Sequence, residues 1–466
     1  MSQHSVNAFP AKRFFVEMLT RDIELQDAIL DLLDNCVDGA LRSNGGSSDG
    51  ESPYKDYYAR IKFDADSFCI EDNCGGIPQD LAESYAFRMG RPDPERDQDL
   101  PTVGVYGIGM KRAIFKMGHD SIVKSKTADT DFSVSIPHAW MDDDSNWALT
   151  LETGTSALSS PGTVILIRSL RDGVSRLFSD ETDFVSTLKK AVSAYYGYII
   201  AKGFSVFIND EKIDPIRVEF LTDENAMSSN SDAIAPFLYE TEYKGVSVSL
   251  AVGLYAQIGI NDEDDDEAPS RPSSDKAGWT IICNDRVVLY ADKSRVTGWG
   301  DANVPQYHPQ FVSIAGVVTF KSNDAKKLPV TTTKRGVEGN SEIYLAVKNI
   351  MRDGLKQFTD FTNRWKIRSP ERAIAMRGAD SSFLANEINQ KIDDSRWTKS
   401  RNELGGKIFK PKLPKPKDTD PLRTVQFQRK ESEIKEVRKF LFDDMGASIS
   451  EVGSKCFDEA LARSRK

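Results

Sequence analysis

The chain has 466 residues, too many for one ordinary hydrophobic core, so two or three domains are expected. A composition of 39% hydrophobic and 28% charged residues excludes a disordered protein, and no apolar stretch is long enough to cross a bilayer. The net charge of −10 excludes a general nucleic-acid coat but permits a local basic patch, while five scattered cysteines and four unclustered histidines argue against disulfide or transition-metal chemistry.

The stretch from Met1 to Phe14 carries no charged-then-apolar leader pattern, which points to the cytoplasm. Residues 22–41 read as a helix. Ile29, Leu32, Leu33, Cys36, Val37 and Ala40 recur at helical spacing and mark a core face, while Asp27, Asp31, Asp34, Asn35 and Asp38 stack one turn apart on the other. Like charges at that spacing repel. Two arrangements relieve them: a solvated polar face, or a hard divalent cation held by oxygens, which for Mg²⁺ usually arrives with phosphates.

A Gly/Ser-rich loop from Ser43 to Ser52 leads into strands over 60–63 and 68–70, with Asp64-Ala-Asp-Ser67 as the turn. Glu71-Asp72-Asn73-Cys74-Gly75-Gly76-Ile77-Pro78 leaves the second strand directly. A carboxylate at a strand end can accept a hydrogen bond from an exocyclic amine such as that of adenine, and the glycines let a flat ring approach the main chain. Taken alone, the same run is an ordinary turn. Residues 79–103 are polar and Pro-containing, with a short helical signal from Leu81 to Met89.

Next comes Gly104-Val-Tyr106-Gly107-Ile108-Gly109-Met110-Lys111, running into a helix over 112–116. Free backbone N–H groups and a helix N-terminus suit an anion, and Lys111 adds a mobile point charge. The spacing is not that of a P-loop, because the lysine follows a glycine by two and no Ser or Thr comes after it. Strands are expected over 121–125, 132–136, 148–151 and 163–168, so helices layered on one sheet face, an α+β arrangement, are predicted.

Beyond residue 170 the pattern predicts a helix over 183–202 and strands over 204–208, 246–253, 278–283, 286–289 and 312–320. The turn Asn284-Asp285 reads as a hairpin. The acidic run Asp262 to Glu267 reads as a solvated loop, and Lys327 to Val337 as a Thr- and Lys-rich loop before a long helix, Ser341 to Trp365. Lys399, Arg401, Lys407, Lys410, Lys412, Lys415 and Lys417 make a Pro-punctuated basic stretch, suited either to nucleic-acid phosphate or to a stiff linker. In the helical tail, Ile434, Val437, Phe440 and Leu441 recur at helical spacing. The expected division is 1–175, 176–368, 369–420 and 421–466.

The order of these motifs resembles the GHKL ATPase superfamily (Bergerat fold) of gyrase, the heat-shock chaperone of ninety kilodaltons, histidine kinases and MutL, and within it MORC-like ATPases. That family's N-box, Glu-x-x-x-Asn-x-x-Asp-Ala, is similar to Asp31-Leu-Leu-Asp-Asn35-Cys-Val-Asp38-Gly-Ala, and Pro161-Gly162-Thr163-Val-Ile-Leu resembles the Gly-Thr strand beside its adenine pocket. The resemblance implies a Bergerat-fold domain with helices on a mixed, mostly antiparallel sheet, then an α/β transducer-like domain and a small helical C-terminal region.

It also implies ATP and Mg²⁺ as cofactors. Asn35 would ligate the metal, and Asp38 would belong to the binding set. Asp72 would take the adenine amine with Thr163 close by. Gly75, Gly76, Ile77, Gly104, Tyr106, Gly107, Ile108, Gly109, Met110 and Lys111 would line the pocket and cradle phosphates, under a lid at 79–103. The general base falls on Asp31, one methylene shorter than the family's Glu, which implies slow turnover. Lys334 in Leu328-Pro-Val-Thr-Thr-Thr-Lys-Arg-Gly336 would reach the γ-phosphate and share catalysis with Lys111, with Lys327 as the alternative. The implied function is an ATPase acting as a switch through an ATP-dependent homodimer, in DNA processing or anti-phage defence, with DNA contacted through 399–417 and no membrane. The alternatives are a non-hydrolysing ATP sensor and a scaffold for a partner effector. A histidine-kinase-like phosphotransferase is disfavoured, since no helix carries an acceptor histidine in a dimerisation context.

Overall fold

The computed structural model describes residues 11–46, 50, 52–88, 107–144, 146–179, 183–229, 231–258, 272–331, 333–366, 376, 378–379, 381–416, 424–442 and 446–465. Gly104, Tyr106 and most of the expected lid lie outside the described residues. The chain forms two units, Met1–Pro416 and Lys417–Lys466.

The first unit begins with α1 (Lys12–Arg21) and α2 (Leu25–Ser43). The apolar period of α2 does what it predicts: Ile29, Leu33 and Val37 are fully buried in a core shared with the strands that follow. β1 (Tyr58–Phe63) and β2 (Ser67–Asp72) form an antiparallel hairpin, and the Asp64 side chain closes its turn by accepting from the Asp66 and Ser67 N–H groups, both at 2.9 Å. α3 (Gln79–Leu81) continues as a π-helical turn, Ala82–Ala86, and α4 (Gly109–Met117) packs against α2.

β3 (Gly118–Lys126), β4 (Asp131–Ile136), β5 (Leu151–Thr153) and β6 (Gly162–Leu170) extend the sheet. The chain then returns through α5 (Asp172–Ser179), α6 (Phe184–Tyr195) and α7 (Gly197–Ala201) to lay β7 (Ser205–Ile208) parallel to β1, with β8 (Glu211–Lys212) at the edge. The strand order is β5-β4-β3-β6-β2-β1-β7-β8, and every pairing but β1 with β7 is antiparallel. The division expected at residue 175 therefore falls inside one sheet. Val206 and Ile208 give β7 a fully buried face, and that face is completed by the first core rather than by the second sheet.

β9 (Glu219–Thr222) and α8 (Asn225–Ser228) lead into a second sheet of β10 (Phe237–Tyr243), β11 (Val246–Leu254), β12 (Gly278–Cys283), β13 (Arg286–Asp292) and β14 (Ile314–Lys321). The long helix α9 (Glu342–Trp365), capped by the Ser341 hydroxyl accepting from Tyr344 N at 3.3 Å, packs on it through Val347, Met351, Leu355 and Phe358. β15 (Ser381–Leu384) pairs with β9 in a two-stranded sheet.

The basic stretch is no free linker in its middle. β16 (Thr398–Lys399) and β17 (Lys407–Phe409) close the second sheet against β10, and Lys407 and Lys412 ion-pair with Glu240 and Asp232, both at 2.9 Å. Ile408 and Phe409 supply the reason, because their buried side chains give the segment a core-facing side. The second unit holds two helices, Glu431–Phe442 and Ile449–Ser464, and among its described residues only Val452 is buried.

Candidate functional site

The aspartates of α2 are not left to solvent. Asp27 ion-pairs with Arg335, Asp31 Oδ2 with Arg112 at 2.5 Å, and Asp34 with both Arg286 and Lys334. Among the described residues no group of three or more His, Cys, Asp or Glu side chains could hold a metal ion. Basic side chains from three distant segments thus relieve the repulsion among Asp27, Asp31 and Asp34, an arrangement that the helical spacing did not announce. A helical period records where like charges crowd, but the counter-charge is chosen by the fold.

Asp34 is the centre of that network. It is 1% exposed; its Oδ1 accepts from Tyr196 OH at 2.6 Å and Arg286 Nε at 2.8 Å, and its Oδ2 from Lys334 Nζ at 2.9 Å. Burial favours the neutral acid, but the Arg286 and Lys334 charges and the Tyr196 hydroxyl overcome it and hold the carboxyl at about 2. Arg286 follows the Asn284-Asp285 turn between β12 and β13. Turn tips are normally wet, yet all three residues here are buried, and Asp285 accepts from Lys202 Nζ at 2.7 Å and Tyr54 OH at 3.3 Å. Lys334 sits at φ +56°, an uncommon conformation for a residue with a side chain, in a loop pinned by the Val330–Val337 bridge.

Beside this network, α2, the end of β2, β6 and α4 enclose a cavity of about 160 Å³. It gathers Asn35, Asp38, Asp72, Gly76, Ile77, Gly107, Met110, Lys111 and Thr163, residues that the sequence spreads over more than a hundred positions. Asp72 ends β2 with its Oδ1 accepting from Cys74 N at 2.8 Å and Thr163 N at 3.3 Å, and burial raises its pKa to about 6. Asn73 steadies the loop by accepting from Tyr58 N at 2.7 Å and donating to Asp56 O at 2.8 Å.

Gly76 has to be glycine. Its φ is +74°, and a Cβ there would lie 2.1 Å from Lys126 O. Ile77 N then donates to Ser125 Oγ at 2.6 Å, tying the loop to β3.

Lys111 is the charged feature of the cavity. It is 3% exposed; its Nζ donates to Ala86 O at 2.9 Å and to Gly107 O, and burial lowers its pKa to about 8. Both partners are neutral carbonyls, so the ammonium keeps a positive charge that a bound anion would satisfy. Lys111 also lines a wider cavity of about 670 Å³ walled by Phe87, Phe115, Trp140 and Trp147. The smaller cavity falls below the usual range for organic ligands, about 300–1,000 Å³, and the wider one lies within it.

Among the described residues, five predicted ones stand outside the smaller cavity: Gly75, Asp31, Ile108, Gly109 and Lys334. Gly109 is packed so closely that a Cβ would come within 3.3 Å of Asp31 Cβ. Lys334 reaches α2 at Asp34, whereas Lys327 pairs with Asp324 in its own turn at 3.8 Å and is half-exposed. Sequence reading missed Arg112, Tyr196, Arg286 and Ser125. Arg112 adjoins Lys111 and was within reach of local reasoning; the other three carry no local signal.

Residues 23–159 match the family model described as histidine kinase-, DNA gyrase B- and HSP90-like ATPase. The match takes in α2, the Asp72 loop and α4 and supports a GHKL-type ATPase domain over these residues, a type that binds ATP and typically Mg²⁺. Among curated proteins none matches the chain significantly. Among the described residues no helix is long and apolar enough to cross a membrane.

Proposed function

We propose that this chain, starting from its GHKL-type ATPase domain, binds Mg²⁺-ATP across the cavity between α2, β2 and α4 and the wider cavity that meets it at Lys111, and works as an ATP-gated switch of the MORC-like kind. The observation that carries the reading is the convergence of Asp72, Thr163 and Gly76 with Asn35 and Lys111 on one cavity. The donor set suits the ligand. Asp72 is an acceptor for an exocyclic amine beside backbone that only glycine permits, and Lys111 is a buried cation whose hydrogen-bond partners among the described residues are neutral carbonyls. Asn35 is exposed at the cavity and offers an amide oxygen to Mg²⁺. The bound metal would supply charge neutralisation at the phosphates.

In this reading Asp72 selects the base, Gly76 keeps the wall flat, Ile77 adds apolar surface, and Lys111 and Lys334 offset phosphate charge. Binding of the triphosphate shifts the population toward a closed form that pairs two chains. DNA processing or anti-phage defence is the proposed setting. Lys399, Arg401 and Lys410 are the members of the basic stretch to test for DNA contact, since Lys407 and Lys412 already have acidic partners.

A second reading, an ATP sensor with scarce hydrolysis, is favoured by one observation. Arg112 occupies Asp31 Oδ2 at 2.5 Å, and Asp31 is absent from the cavity wall. A general base needs hydrogen-bond reach to its water. Phosphate release by Asp31→Asn compared with the unaltered protein separates the two: equal rates select the sensor, and loss selects the ATPase. The switch itself is tested by light scattering after size-exclusion chromatography, with and without Mg²⁺ and a non-hydrolysable ATP analogue, on the unaltered protein and Asn35→Ala. Analogue-dependent dimers lost in the variant are the expected result; a monomer throughout, with binding verified, refutes the dimer switch.

A further inference from the structure

Asp34 binds two cations by different oxygens, and the two are not held alike. Arg286 is 1% exposed, its Nε bonds Oδ1 at 2.8 Å, and a second guanidinium nitrogen donates to Val287 O at 2.7 Å. Lys334 has a single partner of this kind, Oδ2 at 2.9 Å, and its side chain is 11% exposed at the tip of a loop. If Lys334 leaves, Asp34 is not orphaned, because Arg286 and the Tyr196 hydroxyl still hold Oδ1. Losing the last partner of a buried charge is strongly unfavourable, whereas losing one of three is not. The lysine is also within electrostatic range of Asp31 and Asp38, and Asp38 lines the cavity. Its left-handed backbone, φ +56°, is a conformation that persists only where surrounding contacts over-determine it.

We infer that Asp34 is a specificity-determining residue: it holds Lys334 in competition with the terminal phosphate of a bound nucleotide and so sets how strongly the site prefers a nucleoside triphosphate to a diphosphate. The inference rests on the proposed ATP site and goes beyond it. Arg286 is the fixed pivot, and Lys334 is the exchangeable partner. A diphosphate does not reach the lysine and leaves it on Asp34. A triphosphate must draw it away, and its apparent affinity falls by the fraction of molecules in which the lysine is free.

The test is a set of four proteins: unaltered, Asp34→Asn, Lys334→Met and the double variant. For each, dissociation constants of a fluorescent non-hydrolysable ATP analogue and of fluorescent ADP are measured with Mg²⁺. Asp34→Asn is expected to tighten the analogue relative to ADP by about tenfold, the gain when a competent fraction near one tenth becomes fully populated. Lys334→Met is expected to erase that gain. An unchanged ratio in Asp34→Asn, or a gain that survives in the double variant, overturns the inference while leaving the nucleotide site intact. Failure of the unaltered protein to bind either nucleotide overturns both.

Where Asp34→Asn unfolds because Arg286 loses its counter-ion, Asp34→Asn with Arg286→Gln removes the holding carboxylate without stranding a buried cation. The same ratio, read in that background with and without Lys334→Met, decides the matter.

Discussion

Asp72 is the residue at which binding and stability should oppose each other. Burial raises its carboxyl from 3.8 to about 6, and two backbone N–H groups, from Cys74 at 2.8 Å and Thr163 at 3.3 Å, already use Oδ1. A shift of about two units corresponds to about 3 kcal/mol of folding free energy withheld when the group is ionised. The folded pKa lies above the unfolded one, so the favourable contribution is fully present below pH 4 and is lost as pH rises through 6. Asp72→Asn keeps an acceptor for both N–H groups and removes the charge. The nucleotide-free variant should therefore be more stable than the unaltered protein at pH 8, by up to about 3 kcal/mol. The gap should shrink through pH 6 and close near pH 4. Denaturant unfolding followed by tryptophan fluorescence at pH 4, 6 and 8 reads it directly. A gap independent of pH, or a variant less stable at pH 8, refutes the reasoning. With nucleotide added the order should reverse, because the amide no longer offers a carboxylate to the base.

Lys111→Met follows the same logic with the opposite sign of charge. A pKa lowered from 10.5 to about 8 predicts a variant more stable at pH 7 by up to about 3 kcal/mol, with the difference narrowing between pH 8 and 10.5, and fluorescent-nucleotide titration should find weakened binding. Gly76→Ala places a Cβ 2.1 Å from Lys126 O at φ +74°, so a lower melting temperature and a loss of more than about 1 kcal/mol are expected. Unchanged melting would mean that the loop backbone relaxes freely. Arg286→Gln leaves the fully buried Asp34 carboxylate with Lys334 and the Tyr196 hydroxyl, so it should cost less than the ~3–5 kcal/mol of an orphaned buried charge in denaturant unfolding, with most of the loss recovered on adding Asp34→Asn. Additive losses in the double variant would deny the coupling.

Local chemistry made much of this protein legible from sequence. The 3.6-residue period placed the buried face of α2, since amphipathicity acts between residues one turn apart. Asp64 announced the β1–β2 turn, and the glycines after Asp72 announced close backbone approach, because backbone freedom is a property of single residues. What the carboxylates of α2 would meet was not legible. Crowded aspartates suggested a cation, and the cations are Arg112, Arg286 and Lys334, separated from their partners by 81, 252 and 300 residues. Nor could composition tell that the Lys407 segment has a core side and completes a sheet, or that Ser205–Ile208 belongs beside β1. The sequence by itself determined which residues must be buried and where the chain must turn, because those preferences are decided within a few residues. Only the tertiary structure decided which charges neutralise which, because a counter-ion is selected by proximity in space, and that proximity comes into being when the chain closes on itself.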